Sequence, residues 1–257
     1  MTSLSLPRPH TRPRTRSGSL RAFHTAAALL AVALTLVGFH HFFFAGSSYP
    51  GRPITPPIRG LVIAHGVTMS VWLVIAFVQP LLVALGRRAA HMRLGRIGAV
   101  VALAVLGLGF AIAVRSAQVS PADHVIWSLS PRQFIAVPLF ATISFGAFVA
   151  VGLAYRRTPH IHRPMMLLAT WSVLSASVSR IDALSNLYVG TTWDRVFGPF
   201  LFTLILCLAL LLVDRIRSGK IDRWFAGGLG VMALCQVLVM QMAATSAWDR
   251  LVSWMIL

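Results

Sequence analysis

Six residues in this chain carry site chemistry and stand inside or beside long apolar runs: His41, His65, His91, His162, Arg180 and Asp182. Ionisable groups at membrane depth are costly, and they are usually paired or functional. Neutral imidazole is a common ligand for haem iron and for several transition metals. A carboxylate among imidazoles adds a further ligand or a proton carrier.

The histidines fall into two groups. "GRRAAHMRLG" (86–95) and "YRRTPHIHRP" (155–164) each place two arginines, a short gap and a histidine between apolar runs, and they start 69 positions apart. These segments supply His91 and His162, with His160 beside them and His24 on the same side of the expected bundle. "FHHFFF", "LVIAHGVTMSVW" and "SVSRIDALSNLY" supply His40, His41, His65, Arg180 and Asp182 at the other side. Successive residues on a helix point about 100° apart, so only one of His40 and His41 is expected to face His65, and His41 is favoured. Gly66 would let a flat ligand or another helix approach His65.

Three chemistries fit these residues. A b-type haem needs two nitrogens on opposite faces of its ring, and His91 with His162, or His41 with His65, could supply them. His41, His65 and Asp182 could ligate a transition metal, and around Zn²⁺ with an open position they would form a hydrolase centre. Arg180 and Asp182 could instead form a structural ion pair that also bonds a histidine. The arginines of the two repeated segments need only contact lipid headgroups and helix ends.

The elements that would position these groups follow from composition. The chain has 257 residues, is 57% hydrophobic, 11% charged and has a mean hydropathy of +0.77. A soluble domain carries roughly 25% charge. The expected fold is therefore all-α, a polytopic transmembrane bundle of about seven helices. Apolar runs of about 20 residues place the spans at 22–44, 60–85, 94–114, 134–155, 164–189, 196–214 and 224–243. Residues 1–21 read as a disordered basic tail and 244–257 as a C-terminal interfacial segment.

The net charge of +17 does not indicate nucleic acid, because the charges punctuate apolar runs and line no face or groove. Sixteen Lys and Arg fall on the side of the N-terminal tail and six on the other, with Arg180 inside a span. The positive-inside rule then puts the N-terminus in the cytoplasm. Lys220 is the only lysine, and arginine in its place suggests a bacterial, GC-rich genome, hence a bacterial inner membrane. Cys207 and Cys235 lie inside expected spans as packing groups. No CxxCH, HExxH, phosphate loop or serine-hydrolase elbow occurs.

The segment "HGVTMSVWLVIAFVQPLLVALGRRAAHMRLGRIGAVVALAVLGLG", together with "HRPMMLLAT", resembles a group of uncharacterised bacterial multi-pass membrane proteins sharing an HG…W…Q…G…H…LG…G pattern. The likeness covers roughly residues 36–185, and Pro164 and Met165 depart from the usual later segment. A weaker likeness is to b-type haem membrane cytochromes, which also place histidines near both faces of a small bundle. That likeness implies His65, His91 and His162 as haem ligands, with helix one completing an outer pair. The expected function is haem or metal binding for electron transfer or redox sensing, with a redox partner. The alternative is a non-enzymatic transporter or a subunit of a larger membrane complex.

Overall fold

A computed structural model describes residues 15–51, 54, 56–121 and 123–256. Among the described residues the chain is helical with no strand, as a backbone in hydrocarbon requires. Most of the expected tail, residues 1–14, lies outside the described residues.

The long helices are α1 (Thr15–Gly38), α3 (Arg59–Ala84), α4 (Arg88–Val119), α6 (Ala136–Ala154), α7 (Pro159–Ser172), α11 (Leu201–Ser218) and α12 (Arg223–Ala243). Short helices join them: α2 (His40–Ala45), α5 (Pro131–Phe134), α8 (Ser175–Val178), α9 (Asp182–Ser185) and α10 (Thr192–Phe197), with α13 (Ser246–Ile256) after the last long one. Five segments are long and apolar enough to cross a bilayer: 56–84, 88–119, 131–154, 192–218 and 223–243. The apolar part of α1, Ala22–Gly38, is shorter. The protein is thus a multi-pass helical membrane protein.

Two tight hairpins organise the bundle. Gly86, at φ 74°, makes the left-handed turn from α3 into α4. Pro159 opens α7 in its first turn, where a missing N–H costs nothing. α4 packs on α6, α12 lies against α6 and α7, and α1 contacts α3, α8 and α11. On α4 the buried residues are Gly98, Ala102, Val105, Gly109 and Ala113. This stripe recurs every three to four positions and lets backbones approach closely. Trp72 meets Phe145 edge-on at 4.8 Å, in a core that includes Leu168, Trp171 and Met232.

Two expected boundaries are corrected. Helix one starts at Thr15, inside the segment expected as tail. The expected span 164–189 is broken: α7 stops at Ser172, and two four-residue helices follow. Thr170, Ser172, Ser175, Ser177 and Ser179 crowd this stretch. The Thr170 and Ser172 hydroxyls donate back to the carbonyls of Met166 and Ala169. Such bonds compete with the helical ladder. Irregular backbone is tolerated at membrane depth where protein covers it. Ser172, Ser175, Ser177 and Val178 are buried accordingly.

Candidate functional site

His91 and His162 come together. Each lies in the first turn of the helix that follows a hairpin, α4 and α7 respectively. Their ring centres are 6.4 Å apart and the planes are nearly perpendicular, at 88°. His162 donates from Nδ1 to the carbonyl of Gly152 at 2.7 Å. That carbonyl is among the last four of α6, which have no partner inside their helix. His91 makes the longer contact from Nδ1 to the carbonyl of Gln79, at 3.3 Å. A carbonyl can only accept, so both neutral rings carry their proton on Nδ1. The Nε2 lone pairs are left for a ligand. Backbone tethering of the far ring nitrogen is the arrangement that orients metal-ligating histidines. The Gln79 amide adds a polar group here: its Oε1 is buried without a partner, and its Nε2 lies 3.4 Å from where a Cβ on Gly95 would sit.

The other end assembles differently. His41, His65 and Asp182 do not form the expected metal ligand set. Among the described residues no group of three or more histidine, cysteine or acidic side chains is placed to hold a metal ion. Asp182 instead accepts a 2.5 Å hydrogen bond from the Tyr49 hydroxyl. The His41 ring sits 6.2 Å from the Tyr49 ring and 4.0 Å from that of His40. His65 is half-buried, and its Nδ1 has no partner. Beside it, a Cβ on Gly66 would lie 2.6 Å from the Phe42 ring, so the close approach there admits an aromatic side chain. Arg180 donates to the Ala176 carbonyl and lies over the Phe39 ring, 4.8 Å from its centroid. These separate contacts replace the expected Arg180–Asp182 ion pair. Residues two apart on one helix point to opposite sides, so an unbroken helix would not pair these two groups either, and after the break Asp182 opens a short helix of its own.

Two groups escaped sequence reasoning. Tyr49 is in the connection after α2, where only its nearness in sequence to the histidines could have marked it. Asp194 is 1% exposed, and its Oδ2 accepts from the Ser128 hydroxyl at 2.8 Å and the Gly190 N–H at 3.0 Å. It anchors a tight turn at Trp127 and Ser128, both with positive φ, and Trp127 stacks on Tyr188.

The Tyr49–Asp182 bond makes a pH prediction. That bond first, then burial and the charge of Asp182, raise the Tyr49 pKa above its ordinary 10.0, against a smaller pull from Arg180. A raised pKa contributes stability that is complete below about pH 10 and is lost as pH climbs through the folded value. In a difference titration by phenolate absorbance, Tyr49→Phe should remove a late-titrating tyrosine. Identical alkaline titrations of variant and parent would contradict the bond.

No family model matches this chain, and no curated protein or solved structure does so either.

Proposed function

We propose that this multi-pass protein is a one-electron carrier or redox sensor of the bacterial cytoplasmic membrane, with His91 and His162 holding a b-type haem. The observation carrying this reading is the juxtaposition of two imidazoles from separate hairpins, 6.4 Å apart at their ring centres and each contacting a carbonyl through Nδ1. His91 and His162 would hold such a group between them, since metal–nitrogen bonds of about 2 Å would be compatible with this ring separation. A structural zinc site needs four protein ligands and a catalytic one three. A two-histidine donor set suits a group that supplies its other ligands itself. Bound haem would supply the one-electron couple of its iron, tuned by the imidazoles and the surrounding dielectric. The carbonyls of Gln79 and Gly152 would hold the rings in the ligating tautomer. The arginine asymmetry favours a cytoplasmic position for this pair.

Haem and iron content of the purified full chain test this reading. About one haem per chain, or uptake to that level on addition of haem, is expected. A chain that holds no iron and takes up no haem contradicts it.

The Tyr49–Asp182 hydrogen bond favours a second reading, a transporter or complex subunit whose polar group at the other end moves a proton or binds a partner. Asp182→Asn should then abolish transport or assembly while leaving the haem content unchanged. An unaffected variant counts against that role.

A further inference from the structure

The arginine-rich end carries a wide-open trough along the α3–α4 hairpin, with a volume of about 640 Å³. Arg87 and Arg93 line it, together with Leu82 of α3 and Leu94 and Ile97 of α4. Ala89 and Ala90 line it as well and leave room between the arginines.

Three features select its occupant. Both arginines are exposed, and neither guanidinium has a protein partner among the described residues. No acidic residue precedes Asp123, so nothing in this hairpin neutralises them. The trough also has apolar lining beside its arginines. Ala90, Leu94 and Ile97, at spacings of four and three, form an apolar stripe along α4. One turn beyond the trough Val100 is 67% exposed.

From these we infer that Arg87 and Arg93 bind the phosphate headgroup of an anionic phospholipid, with its acyl chains lying along Leu94 and Ile97. A soluble anion would use the arginines and leave the apolar stripe bare. A zwitterionic lipid would bring a cationic group against two unpaired guanidinium ions. Basic pockets of this kind at helix ends are suited to anionic headgroups.

Native mass spectrometry of the full chain in detergent tests this, with phosphatidylglycerol and phosphatidylcholine of identical acyl chains added in competition. Phosphatidylglycerol should be retained preferentially. The double variant R87Q/R93Q should lose about tenfold or more of that preference, since each arginine near an anionic surface contributes a factor of about five. The equally neutralising R156Q/R157Q, on the other hairpin, should keep it. Equal retention of the two lipids by the parent protein would overturn the proposal. So would equal losses in both double variants, which would mean general charge attraction. Displacement of phosphatidylglycerol by inorganic phosphate alone would also overturn it, since the site would then serve a free anion.

Discussion

His162→Ala should reduce haem retention about a hundredfold or more. Loss of a partner that only orients a ligand already costs about 10- to 100-fold in metal sites, and here the ligand itself is removed. The same change leaves the Gly152 carbonyl without its 2.7 Å donor at the end of α6. An unsatisfied buried acceptor costs about 1–3 kcal/mol. Two effects are therefore expected from one substitution, and they separate experimentally. Imidazole added to the variant should restore the bound haem, while the cost of the lost hydrogen bond is read by comparing thermal unfolding of haem-free parent and haem-free variant, where no ligand adds stability. Full haem retention in His162→Ala would remove this residue from the centre. A purely structural histidine would show the stability loss alone.

Gly38→Ala should be the most disruptive single-methyl change in the bundle. A Cβ there would lie 2.0 Å from the Ser177 carbonyl oxygen and 2.6 Å from its carbon. Both atoms belong to backbone, so no side chain can turn aside to make room. α1 and α8 cross at this point, and the hydroxyls of Thr35 and Ser177 also meet there at 3.4 Å. Overpacking typically costs about 1–3 kcal/mol, and a fixed backbone obstacle places this case at about 3 kcal/mol or more. The contrasting change is Gly107→Ala on α4, where nothing lies within 4 Å of the added carbon. There the gain in helix preference should stabilise by about 0.5–1 kcal/mol. Thermal unfolding in detergent checks both. A Gly38→Ala protein as stable as its parent would contradict the close crossing of α1 and α8.

Much of this was legible in the residues. Long apolar runs in a chain with 11% charge dictate membrane helices, and the "RRAAH" and "RRTPHIH" segments mark two hairpin turns. The helix after each turn begins close to its histidine, so the sequence already placed His91 and His162 at the same end. Their approach across two hairpins depends on α4 packing against α6, which no local pattern states. The opposite end was read less well because the fifth span looked continuous by hydropathy. Val, Leu, Ile and Ala keep its average apolar, while clustered serines interrupt the backbone after Ser172. After the break Asp182 opens a short helix and accepts from Tyr49, while a spacing of two from Arg180 suits no pairing on a continuous helix. Tyr49 itself sits in an irregular connection, where periodicity carries no information.

The central claim is that His91 and His162 jointly hold one redox-active group. The absorption spectrum of the purified chain tests it most directly, recorded for the parent, His91→Ala, His162→Ala and, as controls, His41→Ala and His65→Ala. The account predicts a haem spectrum with two imidazole ligands in the parent and both controls, lost in each of the first two variants. A colourless parent after haem addition, or a spectrum that survives His91→Ala and His162→Ala while failing in His65→Ala, would contradict it.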